Sequence, residues 1–262
     1  MKLSVVVPAH NEEGCIEGTV RLLSQTLTRE AIEHEIVVVN DCSTDRTAEL
    51  LDALAAEIPE LRVVATLPPN GFGFAVATGI DACTGDAVGV FMADASDDPE
   101  DLVRFYRELV RTGADCVFGS RFMRGGRTID YPLPKLVLNR IANTGIRLLF
   151  GLRYNDVTNA FKLYRRETLE GSRPFISRQF NLTVELPLKA IVRGYDHYTV
   201  LPNSWTNRAA GESKLRVKEM GSRYAFTIIY CLIEKWLSRG DYHRRLPLPR
   251  AGDSGRQARG PR

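Results

Sequence analysis

An acidic segment at residues 92–100, Met-Ala-Asp-Ala-Ser-Asp-Asp-Pro-Glu, follows an apolar run of the sequence. Asp94 lies directly at the end of that run, where a carboxylate can hold Mg²⁺ or Mn²⁺, because these ions prefer oxygen ligands and bridge phosphate groups. Asp97 and Asp98 precede Pro99, a residue suited to the first position of a helix, and either aspartate can cap that helix. The segment therefore predicts a metal ligand at Asp94 and a helix cap at Asp97 or Asp98.

A second segment that can contact a ligand is Asn70-Gly71-Phe72-Gly73, which follows a predicted strand and opens a predicted helix. It has neither the GxGxxG nor the GxxxxGK[ST] spacing of phosphate-binding loops, which argues against a nicotinamide enzyme. The glycines are better explained by a tight turn or by close approach of the backbone to a ligand.

The elements that must position these residues alternate over roughly the first 120 positions. Short β-branched runs predict strands at Leu3–Val7, Glu35–Asn40, Arg62–Leu67, Ala87–Met92 and Cys116–Gly119. Helical patterns lie between them at Glu13–Leu27, Thr44–Ile58, Phe74–Cys83 and Pro99–Arg111. Continuous Val/Ile strands alternating with helices indicate an α/β fold with a mainly parallel sheet covered on both faces.

Polar residues follow three of these strands: His10, Asn11 and Glu12 after the first, Asp41 after the second and Asp94 after the fourth. In an open α/β sheet, ligands bind at the carboxyl ends of the strands. We therefore expect these side chains to surround a substrate.

The second half is less regular. Its patterns predict helices and strands at Pro132–Phe150, Phe161–Arg165, Asn181–Val192 and Tyr198–Pro202. Tyr224–Leu237 is too short and interrupted to cross a bilayer, which takes about 20 apolar residues. With aromatic residues and flanking cations it predicts a helix in the membrane interface, and packing on the domain or on a partner is the alternative. Beyond Gly240 the chain is rich in Arg, Pro and Gly, which predicts a disordered tail.

Composition excludes some classes of function. The 262 residues carry a formal charge of +3, too little to indicate nucleic-acid binding. The five cysteines form no CxxC pair, which favours reduced, structural thiols without a zinc site. The strand-like start leaves no room for a signal peptide, so we expect a cytoplasmic protein on the inner face of a membrane.

Six segments, in this order, resemble the family 2 glycosyltransferases, and among them the dolichol- and polyprenyl-phosphate sugar synthases. They are VVVPAHNEE (5–13), VVVNDCSTDRT (37–47), NGFGFAVATGIDACTGD (70–86), MADASDDPED (92–101), GSRF (119–122) and NRAAGESKL (207–215). The resemblance implies a single GT-A domain with a mixed, mostly parallel sheet over residues 1–215. An amphipathic helix at 216–240 and a basic tail at 241–262 would follow it.

The resemblance also implies roles for individual residues. A nucleotide-sugar donor would contact Pro8, Ala9, Asn11, Glu12, Asp41, Ser43, Asn70, Gly73 and Ala93, with Asp41 at the base and Asn70 and Gly73 beneath the ribose and sugar. Asp94 is similar to the second acidic residue of the family's DxD motif, which binds Mg²⁺ or Mn²⁺. The first acidic position is Met92 here, and a thioether is a poor ligand for such ions. Asp94 would then hold the metal with help from Ser96 or Asp98.

Four cations match positions that contact the acceptor phosphate in lipid-phosphate members of the family: Arg121, Lys135, Arg208 and Lys214. A lipid monophosphate is already an anionic nucleophile, so it needs cations to hold it in place and no protein base. A hydroxyl acceptor needs a base. Asp156, in a segment resembling the family's DxxSGF[KR], is the first reserve candidate for that base and Glu185 the second.

These observations predict an inverting enzyme that moves a hexose, mannose ahead of glucose, from a GDP- or UDP-sugar to a polyprenyl or dolichyl phosphate. Arg121 and Asp94 would be its central residues. A family 2 enzyme that uses a hydroxyl acceptor is one alternative. A non-catalytic nucleotide-sugar binder, suggested by Met92, is another.

Overall fold

Strands and helices alternate along residues 1–207 and 217–244, the parts of the chain that the computed structural model describes. The strands are β1 Leu3–Ala9, β2 His34–Asn40, β3 Leu61–Ala65, β4 Ala87–Val90, β5 Cys116–Ser120, β6 Arg127–Ile129, β7 Lys162–Arg165, β8 Tyr198–Pro202 and β9 Ser204–Thr206. The helices are α1 Ile16–Arg29, α2 Thr47–Glu57, α3 Phe72–Ala82, α4 Pro99–Thr112, α5 Leu133–Phe150, α6 Arg166–Gly171, α7 Leu182–Val192 and α8 Val217–Leu237.

Seven strands form one sheet in the order β3-β2-β1-β4-β7-β5-β8, and β6 pairs with β9 beside it. All neighbours in the large sheet are parallel except β7, which runs antiparallel between β4 and β5. This confirms the expected mixed and mostly parallel sheet. Because β7 reverses between them, β4 and β5 point the same way and end at the same edge.

Helices cover both faces of the sheet. Successive side chains of a strand face opposite sides, and in β1 Val5 and Val7 pack with α1, α2 and α4, while Val6 packs with α3, α5, α7 and α8. All three valines are fully buried. Burial on both faces explains why the strands are runs of Val and Ile without alternation.

The sequence located the long elements and the short strands β4, β5 and β7. It did not predict helix α6 or strands β6 and β9, and the three residues of β6 and of β9 are too few to show a period. Helix α8 spans Val217–Leu237, inside the predicted 216–240 and longer than the apolar segment Tyr224–Leu237, and none of the described helices is long and apolar enough to cross a membrane. Arg208, Lys214 and residues 245–262 of the predicted tail lie outside the described residues.

A buried ion pair links α7 to the segment that precedes it. The Glu185 carboxylate accepts hydrogen bonds from the backbone N–H groups of Ile176, at 2.8 Å, and Ser177, at 2.7 Å. Lys189 lies 2.6 Å from the same carboxylate, and both side chains are fully buried. The prediction of Glu185 as a reserve base is therefore wrong, because its carboxylate is enclosed in the core and fixes residues 176–177.

We expect Glu185→Gln to lower the free energy of unfolding by about 3–5 kcal/mol, because it leaves the Lys189 charge buried without its partner. Urea denaturation followed by circular dichroism measures the loss. Glu49→Gln is the matched control, since the Arg46–Glu49 pair is 68% exposed on both sides and its midpoint should not move. Equal midpoints for the two variants would contradict a structural role for Glu185.

Candidate active site

The loops after β1 and β2 are hydrogen-bonded side by side. The Asn11 N–H donates to the Ser43 hydroxyl at 3.0 Å, and the Asn11 amide oxygen accepts from the Thr44 N–H at 2.7 Å. The Glu12 N–H donates to the Thr47 hydroxyl at 2.8 Å. Asn11 has φ of 53°, a left-handed conformation that asparagine tolerates better than most residues. The predicted nucleoside residues of both loops therefore lie together.

Asp41 connects these loops to the glycine segment. One carboxylate oxygen accepts from the Gly71 N–H at 2.8 Å and the other from the Thr66 hydroxyl at 2.7 Å. His10 lies against the backbone oxygen of Asp41, at 2.6 Å, and its other ring nitrogen is 3.5 Å from the Asn70 amide. Asp41 is thus part of the wall of the site, and no sequence pattern marked Thr66 as its partner.

Gly73 is needed for contact within the chain. A Cβ there would lie 2.4 Å from the backbone oxygen of Ser177, and the Gly73 N–H donates to the Arg178 oxygen at 3.1 Å. Beside it, the rings of Phe72 and Phe180 stack with centroids 4.4 Å apart. The side of Gly73 on which a side chain would stand is therefore filled by the chain's own backbone, and its place beneath the sugar stays a prediction.

The acidic segment separates into a candidate metal site and a helix cap. The Asp94 carboxylate is 6% exposed and accepts from the Ser96 N–H at 3.2 Å. The Ser96 hydroxyl is buried and has no hydrogen-bond partner among the described residues. Asp98 is exposed and accepts from the Glu100 N–H at 2.9 Å, which makes it the N-cap of α4. The capping role is therefore confirmed for Asp98, while Asp94 and Ser96 remain together.

Asp97 is a buried neighbour of Asp94. Its carboxylate accepts from the Met92 N–H at 3.1 Å. Burial, with a smaller contribution from the nearby Asp94 charge, raises the pKa of Asp97 to about 7 against the opposing effect of that hydrogen bond. Met92 thus contributes a backbone donor to this corner. No group of three or more His, Cys, Asp or Glu side chains suited to a metal occurs within residues 1–207 and 217–244.

Arg121, directly after β5, forms a buried bidentate pair with Asp156. Its Nε and Nη2 both donate to the carboxylate at 2.8 Å, and its backbone N–H donates at 3.0 Å. Arg121 is 9% exposed and Asp156 fully buried. Burial alone would lower the pKa of Arg121, but the Asp156 carboxylate outweighs it and the pKa is raised. Because the Asp156 carboxylate is fully buried and accepts all three of these hydrogen bonds, it fixes the guanidinium in place. Its reserve role as a base stays a prediction.

Aromatic side chains that the sequence did not mark surround this pair. The guanidinium carbon of Arg121 lies 5.7 Å from the centre of the Tyr131 ring, which contacts Trp205 with centroids 5.0 Å apart. Lys135 follows in the first turn of α5 and is half-buried. Burial raises the pKa of Tyr224 on α8 to about 12, against the opposing charge of Arg121. Tyr131, just before α5, thus contacts Arg121, and Tyr224 of α8 is near enough for the Arg121 charge to affect its pKa.

The carboxyl ends of adjacent strands bring the candidate residues to one edge. Val39 of β2 pairs with Pro8 of β1, and Val6 of β1 pairs with Val90 of β4. Asp41, Asn11 and Asp94 follow these strands, and Arg121 follows β5, which ends at the same edge. Pro8 is half-buried and Ala9 buried within β1, and Ala93 is buried with its backbone oxygen accepting from the Thr19 hydroxyl at 3.0 Å.

The sequence model of the family described as glycosyl transferase family 2 matches residues 4–172. The chain is 34% identical over 217 residues to the polyprenol monophosphomannose synthase of Mycolicibacterium smegmatis, with 80% of both chains covered. It is 30% identical over 225 residues to the dolichol-phosphate mannosyltransferase of Pyrococcus furiosus, which covers 83% of this chain and 60% of that relative.

The fold is also found in a solved structure. Glucosyl-3-phosphoglycerate synthase of Mycobacterium tuberculosis, in complex with Mn²⁺, UDP-glucose and glycerol 3-phosphate, superposes with a TM-score of 0.64 at 23% identity. The match covers 89% of this chain and 79% of that enzyme. The sheet order and the helices described above therefore form a GT-A fold.

We expect Gly73→Ala to lower the melting temperature and weaken nucleotide binding, because the new methyl group displaces residues 177–178. Gly18→Ala is the matched control, since a Cβ at that helical position has no atom within 4 Å. It should leave the melting temperature unchanged or raise it, as alanine favours a helix over glycine by about 1 kcal/mol. Thermal unfolding of both variants, with and without nucleotide, measures the difference. Equal melting temperatures would contradict the tight contact.

Proposed function

The chain belongs to glycosyltransferase family 2 and is a glycosyltransferase, and we propose that it transfers a hexose from a GDP- or UDP-sugar to a polyprenyl phosphate. A phosphate oxygen of the acceptor attacks C1 of the hexose. The bond from C1 to the diphosphate oxygen breaks, the nucleoside diphosphate leaves with the electron pair, and the configuration at C1 inverts. Mannose is the favoured sugar and glucose the second.

The observation that carries the acceptor class is the apolar surface that starts beside Arg121. On α5 the exposed fractions are 73% for Leu133, 57% for Val137 and 65% for Ile141. On α8 they are 62% for Phe226 and 52% for Ile233, with Trp236 and Ile229 in the same row. Large apolar surfaces of this kind indicate an interaction site. We call these two rows the apolar face and propose that it rests in the membrane interface.

Charge on α5 suits a bilayer surface. The helix carries Lys135, Arg140 and Arg147 and no acidic residue. Cations near a membrane are attracted to anionic lipids, and apolar residues enter the boundary between headgroups and acyl chains. The peripheral placement on the cytoplasmic leaflet is thus part of this proposal. It would bring the lipid phosphate of the acceptor to the level of Arg121.

The Arg121–Asp156 pair supports an acceptor that is already anionic. Asp156 fixes the guanidinium in a buried geometry, and the charge it holds is suited to binding phosphate without reorganisation. Lys135 is the second described cation proposed to hold the acceptor phosphate. Because Asp156 and Glu185 are both enclosed, neither supplies the exposed base that a hydroxyl acceptor requires.

A divalent ion, Mg²⁺ or Mn²⁺, fits the donor side. Asp94 offers a carboxylate at the strand end, and the Ser96 hydroxyl is a buried oxygen without a described partner. Bound there, the ion would stabilise the negative charge on the departing diphosphate. The Mycobacterium tuberculosis enzyme was solved with Mn²⁺ and UDP-glucose, whereas both relatives named above are mannose enzymes. Asn11, Glu12, Ser43, Asn70 and Ala93 are proposed to contact the nucleotide sugar.

The sequence left two alternative functions open. Family membership favours an enzyme over a non-catalytic nucleotide-sugar binder. A hydroxyl acceptor in polysaccharide or secondary-metabolite synthesis is the second candidate, and the names of the relatives and the apolar face favour the lipid phosphate over it.

We expect the purified chain to form product with undecaprenyl phosphate and not with undecaprenol of the same chain length. The two acceptors differ only in the phosphate group that Arg121 and Lys135 are proposed to bind. Incubation of each with a panel of GDP- and UDP-sugars, followed by thin-layer chromatography, measures transfer. Turnover with soluble alcohols or with undecaprenol, and none with the phosphate, would overturn the proposal in favour of a hydroxyl acceptor.

We expect Asp94→Asn to lower turnover about 10²–10³-fold, the effect of removing one electrostatic contributor to a transition state. Asp98→Asn is the matched control, because asparagine caps a helix as well as aspartate and should keep the normal dependence on Mn²⁺. Turnover is measured over a Mn²⁺ titration. If both variants needed more Mn²⁺ to the same degree, Asp98 would be a ligand as well.

A further inference from the structure

A groove of about 510 Å³ opens between the first turn of α3, residues 176–181 and α8. Its lining includes Phe74, Arg178, Asn181, Arg223 and Phe226. Neither Arg121 nor Asp156 lines it, so it is distinct from the proposed acceptor site, and Asn70 among its lining residues makes it adjoin the proposed donor site. Phe226 belongs to the apolar face, and the groove therefore opens at the edge of the surface proposed to meet the membrane.

The charge of the groove is positive. Arg178 and Arg223 line it, and none of the residues that line it is acidic. Arg178 is exposed, its guanidinium lies 5.1 Å from the centre of the Phe74 ring, and it has no ion pair within the described parts of the chain. A cation held over an aromatic ring, with no carboxylate beside it, is well placed to accept an anion.

Asn181 adds an unused acceptor at the base of the groove. Its Nδ2 donates to the Ser177 hydroxyl at 2.8 Å and to the Thr227 hydroxyl at 2.9 Å. Its Oδ1 is buried and has no partner among the described residues, and the residue is only 5% exposed. A buried acceptor without a partner is costly, and a ligand hydroxyl would satisfy it.

We infer that this groove binds the headgroup of an anionic membrane phospholipid that carries hydroxyl groups. The headgroup phosphate is held by Arg178, a headgroup hydroxyl donates to Asn181, and the acyl chains continue along Phe226 into the bilayer. The positive groove complements an anionic headgroup, and Phe226 connects the groove to the apolar face. A lipid uses both features, whereas a free phosphate uses only the first. The inference rests on the proposed membrane association and names the lipid class that the surface recognises.

Binding of the full chain to vesicles tests the inference without donor or acceptor, so its outcome is independent of the proposed transfer reaction. The vesicles are phosphatidylcholine alone, or phosphatidylcholine with either phosphatidylglycerol or phosphatidylmethanol. The last two lipids carry the same charge and differ in their headgroup hydroxyls. We expect the tightest binding with phosphatidylglycerol, and a loss of about fivefold or more for Arg178→Gln, the usual effect of one cation at an anionic surface.

Three controls decide the result. Arg178→Lys keeps the charge and should retain most of the binding, whereas Arg111→Gln, on α4 at the other face of the sheet, should bind as the parent does. Ile233→Ser should weaken binding to every vesicle, because it removes part of the apolar face. Equal losses of vesicle binding for Arg178→Gln and Arg111→Gln would overturn the proposed site, because binding would then depend only on the overall positive charge of the protein. Equal binding to phosphatidylglycerol and phosphatidylmethanol would overturn the role of Asn181.

Discussion

A sheet covered by helices on both faces leaves its strand ends as the place where polar side chains can gather without being buried unpaired. Val5, Val6 and Val7 show the constraint in β1, since all three lie in one or the other core. The carboxylates and amides of the candidate site follow β1, β2 and β4, and Arg121 follows β5. The site is therefore a consequence of the packing, and hydrogen bonds between neighbouring loops then fix it.

The part of the site that was predictable from sequence is the part that local patterns encode. Uninterrupted Val/Ile runs marked the strands, the polar residues after them marked the edge, and Pro99 marked the cap at Asp98. The Gly73 contact and the Arg121–Asp156 pair were not predicted because the partners are distant in sequence. Ser177 approaches Gly73 from about a hundred residues away, and no periodicity reports such a contact. Strands β6 and β9 were missed because three residues are too few to show an alternating pattern.

The two sides of the site differ in charge. Asp94 and Asp97 gather negative charge in a buried corner, where burial raises the pKa of Asp97 to about 7. On the other side, Asp156 holds the Arg121 guanidinium in place, and Lys135 of α5 adds positive charge. A metal ion and the diphosphate of a donor would balance the first, and an acceptor phosphate the second. In the proposed reaction, the acidic segment at 92–100 would thus hold the departing diphosphate, and the GSRF segment at 119–122 the attacking acceptor phosphate.

Helix α8 is fastened to the catalytic domain by its inner face. Cys231 and Thr227 are fully buried, and Glu234 accepts from Arg193 of the segment after α7 at 2.6 and 3.0 Å. Deletion of α8 would therefore expose the part of the core that this helix covers. The deletion would leave the buried Arg193 charge without its Glu234 partner, and Asn181 without the Thr227 hydroxyl. The helix that we propose to face lipid on one side therefore stabilises the core of the domain with the other.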